Sequence, residues 1–253
     1  MSGSRSLFAA AIFLAAFLLF LVEPMAAKQL LPALGGSAAV WITCLVFFQT
    51  ALLLAYLYAH WLAQRSHFVL HTALLLLATA SAILWTVHST GLNSTHPIAS
   101  IFLALGASIG LPFLMLGATS PLLQAWLARL QSGVVPWRLY ALSNLASLLA
   151  LALYPTLVEP HLTLHVQRQL WCCGFAAFAL ISALLAWKTR AQTQSPSQPE
   201  QTAEAPPPAT PLLHKLLWVL LPMGAAMQLS AVTAYLTSNI AAIPLLRILP
   251  LAV

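Results

Sequence analysis

Acid is what this sequence most lacks. It has no aspartate and four glutamates, and only 6% of its 253 residues are charged. A soluble domain carries about 25%. So few charges cannot cover a water-facing surface, which excludes an ordinary soluble domain. Cysteine is scarce as well. Cys44, Cys172 and Cys173 all fall in apolar segments, with neither zinc-ligand spacing nor a disulfide framework. They read as small packing residues, and we expect no metal site and no cofactor. No glycine-rich loop follows a strand-like run, so no nucleotide cradle is predicted. The +6 net charge does not indicate nucleic acid, because the Lys and Arg residues stand between apolar runs, where they set membrane orientation.

What the chain does have is apolar length: 61% of it is hydrophobic. A transmembrane helix needs roughly 20 apolar residues. Such runs predict spans over 7–26, 38–62, 68–87, 98–116, 139–158 and 166–187. The first run follows a single Arg and resembles a secretory leader, but it is long for one and reads as a retained span. Residues 188–211, KTRAQTQSPSQPEQTAEAPPPATP, change character. They are rich in Gln, Thr, Pro and Ala and predict a disordered aqueous linker. A new apolar run begins at Leu212 and reaches Val253 with small breaks. A span starting near Leu245 would have fewer than about ten residues left, too few to cross. We therefore expect a truncated gene or a short reading frame.

With the N-terminus inside, Arg5, Arg65, Arg129, Arg138, Lys188, Arg190 and Lys215 fall on the cytoplasmic side. Lys28, Arg168 and Arg247 fall opposite. That asymmetry satisfies the positive-inside rule. The expected fold is an all-α polytopic membrane bundle. Residues 1–187 form a six-span half, 188–211 a cytoplasmic linker, and 212–253 the seventh span with an incomplete eighth. Repeats of six spans are the pattern of major-facilitator folds. FLVEPMAAKQLLPALGG after the first span and TSNIAAIPLLRILPLAV after the seventh share a polar residue, Ala-Ala and Pro-punctuated Leu.

Polar side chains in lipid are costly and usually face the bundle interior or a cavity. In the second span Gln49, Tyr56 and His60 form one stripe at helical spacing. They can bond neighbouring helices or wall a cavity. In the fifth, Tyr140, Asn144 and Ser147 share a face with Ser143 and Tyr154 beside it, and Pro155 ends or kinks the helix before Glu159. Glycines 106, 110 and 117 permit close helix approach. Ser120-Pro121 has the form of an N-cap and first helical position. A second short helix carrying Gln124 can start there, and its N-terminus would suit an anionic group. The duller alternative is a kink and an amphipathic exit helix.

Glu23 and Lys28 sit in FLVEPMAAKQLLPALGGSAAVW, where Pro24, Pro32 and Gly35-Gly36 predict that the first helix stops and turns back. Either residue can snorkel to the outer interface. The other reading is a gate, with Glu23 taking a cation or proton and Lys28 as counter-ion. Glu159 lies at the same outer level, so the mouth would attract cations.

Three motifs in order carry a family resemblance: FLVEPMAAKQLLPALGGSAAVWITCLVFFQTALLLAYLYAH, GATSPLLQAW and YALSNLASLLALALYPTLVEP. The chain resembles the membrane region of bacterial fused major-facilitator-like/spermidine synthase proteins over roughly 7–190 and 212–253. That resemblance implies an inner-membrane protein handling a polyamine or another small solute. In that family a soluble aminopropyltransferase (spermidine synthase-like) domain often follows the spans. Its nucleotide loop and acidic residues are missing from this chain, so we expect no catalysis here. A non-catalytic anchor or partner of such an enzyme, or an inactive remnant, is the alternative. Asn239 and Arg247 depart from the family pattern in the restart, against an ion-coupling role there.

Overall fold

The computed structural model describes residues 2–34, 37–64, 68–84, 96–130, 137–193 and 211–239. Every regular element among them is helical. The helices are α1 (Ser2–Leu34), α2 (Ala38–Gln64), α3 (Phe68–Ile83), α4 (Pro97–Leu105), α5 (Leu111–Leu130), α6 (Trp137–Leu153), α7 (Glu159–His161), α8 (Leu164–Thr193) and α9 (Leu212–Asn239). A π-helical turn, Gly106–Gly110, joins α4 to α5, and another, Tyr154–Val158, joins α6 to α7. Six helical stretches are long and apolar enough to cross a bilayer: Ser6–Pro32, Ala39–Gln64, Pro97–Leu127, Trp137–His161, Leu164–Lys188 and Leu212–Tyr235. The protein is thus an all-α chain built for multiple membrane crossings. α3 is shorter. Its 16 residues rise about 24 Å, against a hydrocarbon core of about 30 Å. Residues 85–87 of the expected third span lie outside the described residues.

The chain divides into two units, Met1–Gln192 and Thr193–Val253. The described part of the second is Pro211 and α9, a 28-residue apolar helix that runs through Pro222. Most of the expected linker and everything after Asn239, including Arg247, lie outside the described residues. α8 itself carries on through Lys188–Thr193, residues whose composition pointed to linker. Lys, Arg, Ala and Gln are good helix formers, so a preceding packed helix extends through them.

Within Met1–Gln192 the most extensive contacts pair α1 with α6 and α2 with α5. α1 also packs on α5, and α3 on α5. α8 joins α1 through Trp171, whose indole Nε1–H donates to the Leu18 carbonyl at 2.9 Å. Apolar residues gain little by leaving lipid for one another, so small side chains and close backbone approach decide such contacts. The buried stripe of α2 includes Ala51, Ala55 and Ala59, and that of α6 is Ala146 and Ala150, continued by Tyr154 in the π turn. Gly117 is where α5 meets α2. A Cβ there would lie 3.0 Å from both Ala55 Cβ and Leu52 Cδ1. Gly106 and Gly110 meet nothing so close, and serve instead as the ends of a π turn. One core cluster gathers Phe8, Ala11 and Ile12 of α1, Ala55, Ala59 and Leu62 of α2, Leu122, Leu123 and Trp126 of α5, and Leu185 and Ala186 of α8.

Two expectations are corrected. α1 does not stop at Pro24 or turn back at Pro32; it runs unbroken to Leu34. Each proline removes one backbone hydrogen bond. Unwinding would strand several backbone groups where no water can satisfy them, and buried Met25, Ala26, Ala27 and Leu30 hold the turn. Likewise no new helix starts at Ser120. α5 passes through Pro121 between buried Ala118, Thr119, Leu122 and Leu123. The irregularity of this span comes earlier, at Gly106–Gly110.

Candidate functional site

Because α1 overruns its prolines, Lys28 remains on a helix and is carried toward the end of the fifth span. There its Nζ donates to Glu159 Oε1 at 2.7 Å. The two residues are 131 apart in sequence. Their side chains are 34% and 38% exposed, so the pair stands at the edge of the bundle rather than in its core.

The π turn explains how Glu159 gets there. On an ideal α-helix Glu159 would lie about 140° around from Tyr154. Pro155 cannot donate a backbone hydrogen bond, and its ring crowds the preceding turn. The chain responds by widening: the Glu159 N–H bonds the Tyr154 carbonyl, the i→i+5 pattern of a π turn. A wider turn winds less per residue, so Glu159 swings back toward the Tyr154 side, which faces α1. Pro155 therefore does not end the helix or leave Glu159 outside it; of the two outcomes expected at Pro155, an end or a kink, the chain shows a local distortion, the π turn itself. Helical backbone continues to His161.

Tyr154 is 5% exposed, and its hydroxyl has no hydrogen-bond partner. Its backbone carbonyl takes the Glu159 N–H. Gln167 of α8 closes the same end from the other side. Its Nε2 donates to the Leu162 carbonyl at 2.8 Å and more weakly to that of Val158 at 3.4 Å, while its buried Oε1 has no partner. The site thus combines a half-exposed ion pair with two buried polar atoms able to accept or donate further bonds. Buried polar groups are rarely left unsatisfied, and Gln124 Oε1 on α5 is in the same condition. Glu23 lies half-buried in α1, five residues before Lys28.

The other expected site residues fall elsewhere. Gln49, Tyr56 and His60 are exposed on α2, and His60 is hydrogen-bonded to Gln64 at 2.8 Å. On α6, Tyr140 and Asn144 are exposed, whereas Ser147 is half-buried and donates to its own helix at the Ser143 carbonyl. In both helices the alanine stripe takes the packed face and turns the polar stripe away. Gln124 is buried and donates to half-buried Ser120 at 3.1 Å; this too stays within one helix. Lys28 meets Glu159, with Tyr154 one π turn before it, whereas His60, Ser147 and Gln124 bond within their own helices.

Neither Gln167 nor a second cluster made by Tyr58, His71 and Trp126 was expected from the sequence. Gln167 lies in the first turn of its span, where a polar residue reads as interfacial. Among the described residues no group of three or more His, Cys, Asp or Glu is placed to hold a metal ion.

Comparison with known protein families, curated proteins and solved structures returns no match. The chemistry of the site therefore has to come from its geometry.

Proposed function

We propose that this chain is the membrane domain of a small-solute transporter, and that the Lys28–Glu159 pair is a gate at one end of it. The observation that carries this is the packing pattern. Number the crossings so that α4 and α5 are the fourth and α6 and α7 the fifth. The first then packs on the fifth and on the fourth, the fourth on the second and the third on the fourth, and the sixth is bonded to the first through Trp171. Exchanging spans one to three with spans four to six maps these contacts onto one another, whereas the smaller contact between the first and second has no counterpart of that extent among the described residues. Inverted three-span repeats of this kind are nested in each six-span half of major-facilitator transporters, which supports such a half here.

The gate follows from energetics. An ion pair as exposed as this one contributes only about 0–1 kcal/mol, so opening it costs little. Glu159, released from Lys28, can take an ammonium group of an incoming cation, and the Tyr154 hydroxyl and Gln167 Oε1 can take further donors. A polyamine offers several such donors on one flexible chain. The same reading places the chain in a bacterial inner membrane with the N-terminus cytoplasmic, on the strength of the basic residues between spans, and assigns it no catalytic step.

The test is uptake by the full chain in proteoliposomes. Labelled spermidine should accumulate above protein-free vesicles and be displaced by excess unlabelled spermidine. Uptake no greater than in empty vesicles, for spermidine and for a panel of other small cations, would overturn the proposal.

A further inference from the structure

Tyr58, His71 and Trp126 meet near the other end of the α2–α3–α5 group, away from the ion pair. His71 lies in the first turn of α3 and is 1% exposed. Its Nδ1 is 3.1 Å from the Tyr58 hydroxyl of α2, and the two rings stack at 6.1 Å and 24°. Trp126 of α5 meets the imidazole at 5.9 Å and 87°. Tyr58 is only half-buried and rests on Trp61 at 6.4 Å.

Ring packing alone would be served by a phenylalanine, without a polar group to satisfy. A buried ionisable residue in a membrane helix marks a functional position by default, and here its partner is the Tyr58 hydroxyl. In neutral imidazole one nitrogen donates and the other accepts. With Nδ1 bare, the Tyr58 hydroxyl donates to it. A proton on Nδ1 turns that nitrogen into a donor, so the hydroxyl must rotate and accept instead. The new positive charge then lies against two aromatic rings, which can stabilise it but only in a changed arrangement.

We propose that His71 is a proton-binding site that links the α2–α3–α5 joint to pH, with the half-exposed Tyr58 hydroxyl as the relay to water. On α2, Tyr56 and His60 point outward and are exposed. Of the titratable residues on α5, Arg129 alone is basic, and its side chain lies outside the described residues. The π turn Gly106–Gly110, also packed on α3, carries no titratable side chain. α8 faces this end of α3 across an apolar groove of about 480 Å³ lined by Val69, Thr72 and Trp187, with Lys188 exposed beside it.

The experiment is an acid titration of tryptophan emission for the full chain in lipid nanodiscs. Protonation of His71 should quench Trp126, giving a step that disappears in His71→Gln and in Trp126→Phe and that moves to a different pH in Tyr58→Phe. A flat titration of the unaltered chain, or a step of equal size in His71→Gln, overturns the proposal. Should His71→Gln fail to fold, histidine-selective 15N NMR of the unaltered chain decides. The imidazole whose signal responds to Trp126→Phe must pass from the neutral form with bare Nδ1 to imidazolium on acidification. If it stays neutral for as long as the chain is folded, His71 is a packing residue.

Discussion

Lys28 and Glu159 each stand out in the sequence as a charge at the end of an apolar run, but their partnership does not. Periodicity at 3.6 residues per turn misplaces Glu159, because one π turn intervenes. Pro24 and Pro32 suggest that Lys28 has left the helix, because local rules weigh the proline and not the cost of stranding backbone in lipid. Two predictions belong to single residues. Tyr154→Phe removes a buried hydroxyl that has no partner. The melting temperature should therefore be unchanged or slightly raised, while spermidine uptake falls. A clear loss of thermal stability would mean that the hydroxyl is already bonded. Lys28→Gln and Glu159→Gln should each cost no more than about 1 kcal/mol of stability and yet lower uptake severalfold. A large drop in melting temperature for either would recast the pair as structural.

At the scale of helices, existence and type were readable from apolar length, whereas facing was not. The polar stripes Gln49–Tyr56–His60 and Tyr140–Asn144–Ser147 are real periodicities, and all but half-buried Ser147 lie on exposed faces. The alanines between them set the packed face, since close approach outweighs polar preference when lipid is as apolar as the neighbouring helix. Single-cysteine labelling checks this directly. Cysteine at Tyr56 or Tyr140 should react with small maleimides or lipid-phase probes, and cysteine at Ala55 or Ala146 should not; the reverse order would place the stripes inside. Close approach has a cost elsewhere. Gly117→Val must push into Ala55 Cβ, which is fixed to the α2 backbone, as well as the more flexible Leu52 tip. We expect a loss of about 1–3 kcal/mol, typical of an overpacked core, read as lower thermal stability in detergent. The corresponding Gly106→Ala, with no neighbour nearer than 3.9 Å, should be tolerated.

For the whole molecule, the sequence made membrane residence plain, because 6% charge leaves no other solvent. Helix pairing was not legible, since it depends on which small residues meet across spans far apart in sequence. That pairing is what links the first span to the fifth and sets Lys28 opposite Glu159. A gate that works through charge complementarity should tolerate exchange of the two charges but not loss of either. The decisive measurement is spermidine uptake into proteoliposomes by Lys28→Glu, by Glu159→Lys and by the double variant carrying both. We predict that each single reversal abolishes uptake and that the double restores a substantial part of it. Single reversals as active as the unaltered chain, or a double variant no better than either, would contradict a gate made by this pair.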